Sequence, residues 1–120
     1  MIGITIDGGG STITTGVKGF VVAPMSGTIT AATLLSTDAS ATACAIVIDV
    51  WEDTYANYPP TDADSITASA PPTLSGPANK SQDTTLTGWD TTVTAGAVYG
   101  FHVDSSTGCT RITLTLTVEP

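Results

Sequence analysis

Apolar and polar residues alternate strictly at the end of the chain, in Thr110-Arg111-Ile112-Thr113-Leu114-Thr115-Leu116-Thr117-Val118. Ile112, Leu114, Leu116 and Val118 fall on one face and Thr113, Thr115 and Thr117 on the other, the period of a β-strand with one buried side. The same period runs through Ile2, Ile4 and Ile6, through Cys44, Ile46, Ile48 and Val50, and through Tyr99, Phe101 and Val103. Each run is rich in the β-branched and aromatic residues that suit a pleated surface. Residues 17–23, 28–36, 65–70 and 84–87 read as four weaker strands. Turn signals stand between the runs: Gly8-Gly9-Gly10, Pro24 with Gly27, Pro59-Pro60, Pro71-Pro72, Gly76-Pro77, Gly88, Gly96 and Gly108. No segment reads as a helix.

About eight short strands at near-regular spacing predict an all-β fold, a single antiparallel β-sandwich domain over residues 1–120. Eight strands of this length fit a jelly roll better than a seven-strand immunoglobulin-like domain. The immunoglobulin core also needs a tryptophan between its cysteines, facing inward. Here Cys44 and Trp51 fall on one strand with opposite parity. Residues 54–83 turn polar and Pro-rich, which predicts a long excursion packed over a sheet edge or reaching a neighbour. No internal repeat or linker divides the chain.

Composition narrows the function. With 41% hydrophobic residues over 120 positions, the chain is long enough to bury one core and is not a disordered tail. Only 12% of residues are charged, so 24 Thr and 10 Ser must supply much of the polar surface. Three Lys+Arg against 11 Asp+Glu leave a net charge of −8, which repels phosphate backbones and anionic headgroups. Neither nucleic acid nor membrane insertion is therefore expected. No apolar run approaches the ~20 residues that span a bilayer, so a soluble protein is expected. The N-terminus lacks the basic and apolar regions of a secretory signal, and its Met1 suggests a complete small gene product. Without a signal for an oxidising compartment, Cys44 and Cys109 are expected as reduced thiols rather than as a disulfide. They lack the C-x-x-C spacing of a zinc or redox site.

The candidate chemistry is sparse. Asp49 with Asp53, or Asp62 with Asp64, supplies the carboxylates of a general acid/base pair, but acids beside turns more often cap loops. His102 is the only histidine and has the parity opposite to its apolar neighbours, which places it toward solvent or a subunit contact. No G-x-S-x-G elbow accompanies it. Gly8-Gly9-Gly10-Ser11 follows a strand yet leads into Thr-Ile-Thr-Thr rather than a phosphate-binding helix. Asp62 and Asp64 have the hard oxygens calcium prefers, without the spacing of an EF-hand loop. No catalytic residue, cofactor or metal is assigned. Trp51, Tyr55, Tyr58 and Trp89 are flat rings beside Asp and Asn, which suits either packing or glycan stacking.

The stretch Ile48-Asp49-Val50-Trp51-Glu52-Asp53-Thr54-Tyr55-Ala56-Asn57-Tyr58-Pro59-Pro60-Thr61 carries a resemblance. With Ala63-Asp64-Ser65-Ile66-Thr67, Pro72-Thr73-Leu74-Ser75, Leu86-Thr87-Gly88-Trp89 and the terminal Thr110-Arg111-Ile112-Thr113-Leu114, it resembles a small β-rich family of tailed-bacteriophage virion structural proteins. The chain departs from that pattern at Glu52, where Lys is expected, and in an Ala-rich insertion at 38–43. The resemblance implies a homotrimer mounted in the virion, a capsid decoration (cement) or short head-fibre protein whose partners are itself and the major capsid protein or another virion protein. Outward Thr113, Thr115 and Thr117 would then lie at a threefold interface, and the loop carrying Tyr55, Tyr58, Pro59 and Pro60 would clasp a neighbour. The alternative is a receptor-binding tip or tail-fibre module that stacks a host-surface glycan on Trp89, Tyr55 or Tyr58. A length that leaves no room for an attachment region favours decoration.

Overall fold

The computed structural model describes residues 1–38, 44–76 and 78–120. Alternation becomes pleat over nine strands: β1 (Ile2–Asp7), β2 (Gly16–Val22), β3 (Gly27–Ser36), β4 (Ala45–Asp53), β5 (Thr73–Leu74), β6 (Lys80–Asp83), β7 (Thr92–Val93), β8 (Val98–Thr107) and β9 (Arg111–Glu119). Beyond Asp38, the Ala-rich insertion lies outside the described residues, as does Pro77 of the Gly76-Pro77 turn signal. Two 3-10 turns, Tyr55–Asn57 and Asp62–Asp64, are the helical elements among the described residues. No helix there is long and apolar enough to cross a membrane.

The strands form two antiparallel sheets. Sheet A has the order β1-β9-β3-β6, with β7 added beside β3, and sheet B the order β2-β8-β4-β5. The pairs β1 with β9, β2 with β8, β3 with β6 and β4 with β5 are all present and antiparallel. Leaving out the short β7, the chain is one long hairpin whose outermost strands pair with each other and whose innermost strands meet last. Wrapping that hairpin around a core gives the jelly roll expected from strand count and spacing.

Inward parity builds the core. Ile112, Leu114 and Leu116 of β9 are fully buried, and Ile48, Val50, Tyr99, Phe101 and Val103 face them from sheet B. Three bulges interrupt the period. One in β3 skips Thr30 between Ile29 and Ala31, one in β2 skips Lys18, and one in β8 skips Asp104. A bulge reverses the parity of the strand beyond it, which is why residues 28–36 alternate less cleanly than β9 although they belong to the ten-residue strand Gly27–Ser36.

Several expectations need correction. Residues 65–70 make a single bridge, Ser65 to Trp51, rather than a strand. Residues 84–87 form a turn: the Thr85 and Leu86 N–H groups donate to Asp83, and Leu86 takes a left-handed φ of 53°. The strand lies just before it, at β6. Cys44 and Cys109 are joined in a disulfide, with Cα atoms 4.6 Å apart. The cause is register: Ala45 pairs with Thr107, so the residue before β4 meets the β8–β9 turn. The long excursion packs over sheet B and returns to form β5 and β6.

Candidate functional site

The two outer sheet faces differ in chemistry. On sheet A, Thr113, Thr115 and Thr117 stand half-buried along β9, the central strand. Register sets Thr5 and Leu35 beside Thr113, Gly3 and Thr33 beside Thr115, and Ala31 beside Thr117. The Thr5 and Thr113 hydroxyls lie 3.1 Å apart, and the Gln82 amide donates to the Thr33 hydroxyl at 2.9 Å. These cross-strand rows hold methyls, hydroxyls and the half-exposed Leu35, without a carboxylate, and end at Lys80 and Gln82 on the edge strand β6.

Sheet B carries a second layer on its outer face. Val17, Phe20 and Val22 of β2, Val98, Gly100 and His102 of β8, and Asp49, Trp51 and Asp53 of β4 share that side by register. Residues 54–72 cross it. Tyr58 meets the Phe20 ring edge-on at 5.1 Å, and buried Pro60 roofs Gly100. A Cβ on Gly100 would come within 3.0 Å of the Phe20 ring and 3.4 Å of Pro60. The roof is anchored by Asp49, which is 8% exposed. Its carboxylate accepts from Ser65 Oγ and Thr67 Oγ1 at 2.7 Å each and from Trp51 Nε1 at 3.0 Å. Three donors satisfy a charge that burial would otherwise penalise. His102 stacks on the Trp51 ring at 4.9 Å, and the β8 bulge lets Asp104 reach back to His102 Nδ1 at 2.7 Å.

The sequence-predicted residues separate accordingly. Thr113, Thr115 and Thr117 lie on sheet A, whereas Tyr55, Tyr58, Pro59 and Pro60 lie over sheet B, so no single surface unites them. Pro60 is buried in the roof, Tyr58 is 51% exposed, and Tyr55 is 79% exposed beside a shallow cleft of about 310 Å³ formed with Thr54 and residues 94–97. Trp89 belongs to the core and donates its Nε1 to the Ala70 carbonyl at 2.8 Å. Its ring is thus removed from any glycan-stacking set. Phe20 escapes a sequence reading because the β2 bulge hides its parity.

The carboxylates are largely spent on structure. Asp49 holds the roof, and Asp53 Oδ1 accepts from the Thr54 N–H and the Asn57 amide. Asp64 accepts from the Thr61 N–H at 2.7 Å, closing the Asp62–Asp64 turn. Among the described residues no three His, Cys, Asp or Glu side chains stand close enough to hold a metal ion. In the glycine loop, the Gly9 N–H goes to Asp7 and the Gly8 N–H to the Thr110 carbonyl. No family model, curated protein or solved structure matches the chain.

Three groups have displaced acidities, and one is Tyr99, whose phenol is pushed well up by burial and then by the charges of Glu52 and Asp90. Hydrogen bonds from the Thr110 N–H and then its hydroxyl hold the Asp38 carboxyl below the usual range. Burial, followed by the charges of Asp90, Asp53 and Asp64, pushes Glu52 up.

Proposed function

We propose that the chain is a structural subunit of a tailed-bacteriophage virion, a homotrimeric capsid decoration or short head-fibre protein that works by contact rather than by chemistry. The observation that carries this reading is the outer face of sheet A. Its central hydroxyl and methyl rows are solvated in a free subunit and pack against a copy or a capsid protein, while the face's charges, Lys80, Asp7, Arg111 and Glu119, stand at its margins, where a contact leaves them in water. The W-x-D-T-Y-A-N-Y-P-P-T resemblance supplies the virion setting and the trimer. A jelly roll is also an architecture that viral capsid domains use.

Size-exclusion chromatography with light scattering tests it. A trimer has about three times the 12.1 kDa of the chain, and Thr115→Arg, on a half-buried outward position, is expected to give monomer with unchanged thermal stability. A wild-type monomer at assembly concentrations would sink the reading.

A second reading, glycan recognition at a fibre tip, is favoured by Tyr55 alone, a ring 79% exposed at the wall of a shallow cleft. Lectin domains also use jelly rolls. A glycan array separates the two: a hit lost on Tyr55→Ala supports the tip, and an array without hits supports decoration.

A further inference from the structure

We propose that the free edge of β1 is a docking edge for a second copy of this chain. The two β1 strands pair antiparallel about a twofold axis, with Ile4 opposite the partner's Ile4, and join two copies of sheet A into one. The contact stands on the chemistry of this edge and is separate from the threonine face that carries the virion reading.

The sheets end in β1 and β6 and in β2 and β5, with β7 beside β3. All but one of these strands are protected. β5 and β7 have two residues each, β6 carries Lys80 and Asp83 at its ends, and β2 is bulged at Lys18. Short length, charge and bulges are what keep an edge from pairing with another chain. β1 has none of them. It keeps unbroken register with β9 from Ile2 to Asp7, and Ile2-Gly3-Ile4-Thr5-Ile6 holds neither a charge nor a proline.

Hydrogen-bond phase shows what this edge offers. The Gly8 N–H donates to the Thr110 carbonyl, and the Arg111 carbonyl accepts from the Thr37 N–H on the β3 side. Even-numbered residues of β9 therefore bond β1, and odd-numbered ones bond β3. Bonded and unbonded pairs alternate along an antiparallel ladder, so Ile2, Ile4 and Ile6 spend their N–H and C=O groups on β9 while Gly3, Thr5 and Asp7 turn theirs outward. These three residues are exposed. No other hydrogen bond among the described residues reaches their main chain.

The core is open along the same side. Ile4 points inward yet stays only half-buried, as does Val21 on β2, and a Cβ on Gly19 of β2 would come within 3.0 Å of the Ile4 side chain. A strand added to β1 covers Ile4 with an inward side chain of its own.

A second β1 meets each requirement. Gly3 faces the partner's Thr5 and Thr5 the partner's Gly3, each pair exchanging both bonds between groups that otherwise meet only water. Ile4 faces Ile4 and Ile2 faces Ile6, so inward residues stay inward in both copies. One self-complementary surface serves both sides, as a twofold contact requires. Charge sets the register. Each chain carries −8, and with Ile4 at the axis the two Asp7 carboxylates stand about 20 Å apart along the strands, well beyond the screening length of about 10 Å at 0.1 M salt. Centring on Thr5 would shorten that to about 13 Å and leave Ile2 without an opposite. One strand pair is a small contact, so it dissociates on a chromatography column and gains strength where copies are already held side by side.

The test is amide hydrogen exchange of the isotopically labelled full chain, followed by NMR at micromolar and at millimolar concentration. The Ile4 and Ile6 amides should exchange slowly at both. Those of Gly3 and Thr5 should exchange fast at micromolar and at least about tenfold more slowly at millimolar concentration. A mixture of labelled and unlabelled chain should give an intermolecular cross-peak between the two Ile4 α-protons, which lie close in an unbonded antiparallel pair. Thr5→Pro removes an N–H that β9 does not use, a change an edge strand accepts, and should abolish the slowing at Gly3 while Ile4 and Ile6 stay protected. The wild-type measurements decide by themselves where that variant does not fold. Exchange at Gly3 and Thr5 independent of concentration, slowing that survives Thr5→Pro, or slowing without the Ile4 cross-peak would overturn the proposal. Thr115→Arg disrupts the threonine face and should leave the slowing unchanged; its loss there would assign the protection to that face and overturn the edge contact. The edge contact and the trimer therefore succeed or fail separately.

Discussion

Breaking the Cys44–Cys109 bond is the perturbation with the largest expected effect on stability. The two residues are 65 positions apart in sequence, and a cross-link of that span removes closure entropy from the unfolded chain. With a loop of about 65 residues the chain-entropy relation gives about 14 cal/mol/K, or about 4 kcal/mol at 25 °C. An unfolding entropy of about 0.25 kcal/mol/K for 120 residues converts this into a Tm lower by about 16 °C. Both cysteines are almost fully buried, at 2% and 0% exposure, so a reductant reaches them only when the chain opens. The comparison is therefore between wild type and the Cys44→Ala, Cys109→Ala double variant by scanning calorimetry, with a thiol count on unreduced wild type in guanidinium chloride. No free thiol and a Tm difference of about 10–20 °C are expected, the lower end allowing for residual structure in the unfolded state. Two free thiols, or a difference below about 4 °C, would refute the assignment of this bond as a major support of the fold.

Asp49→Ala strands the donors of Trp51, Ser65 and Thr67 and should cost about 3 kcal/mol or more in urea unfolding, with Asp49→Asn milder because it keeps an acceptor; a loss under about 1 kcal/mol would contradict the anchor role. Asp38 and Glu52 should give opposite pH signatures. The folded pKa of Asp38 is lowered, so its contribution is present above its unfolded value of about 3.8 and lost as pH falls toward the lowered one; Asp38→Asn should narrow its stability deficit on acidification. The folded pKa of Glu52 is raised above 4.5, so its charged form weakens the fold at neutral pH and protonation relieves this as pH falls. Glu52→Gln should be more stable than wild type at pH 7, with the advantage shrinking in acid; thermal melts across pH 3–7 check both signs. Gly100→Ala forces the Phe20 ring or Pro60 to shift and should cost about 1 kcal/mol, with altered Tyr58 ring resonances in NMR as the local readout.

The jelly roll is legible in the sequence because its longest strands carry clean period-two patterns. Parity alone places β9, β1 and the inward residues of β4 and β8. The elements that escape fall into physical classes. β5 and β7 are two residues long, too short to show a period, and β6, Lys80-Ser81-Gln82-Asp83, is a polar edge strand defined by pairing with β3. Residues 65–70 look β-like because Ile66 enters the core, but neighbouring residues are held by Asp49 rather than by a ladder. The disulfide escapes because compartment signals say nothing about proximity, which register decides. The roof over sheet B leaves one readable trace, Asp49 between Ile48 and Val50: an acid in a buried apolar run needs donors, though their identity comes only from folding.

The scarcity of charge acquires a location. The central threonine rows of sheet A carry no carboxylate, its acids Asp7, Asp83 and Glu119 being the last residues of β1, β6 and β9, while Asp49, Glu52, Asp53, Asp62, Asp64 and Asp104 belong to sheet B or to the loop crossing it. A net charge of −8 opposes self-association wherever acids meet across an interface, and screening reduces that repulsion beyond about 10 Å at 0.1 M salt. Copies that meet through sheet A keep the sheet B acids on the far side of a two-layer sandwich, with sheets about 10 Å apart. Copies that meet through sheet B bring those acids face to face. Under the proposed trimer, association through sheet A should therefore depend weakly on ionic strength. Light scattering between about 20 and about 500 mM salt reads this. A trimer that forms only at high salt would place its interface on the acidic side and remove the role argued for the threonine rows.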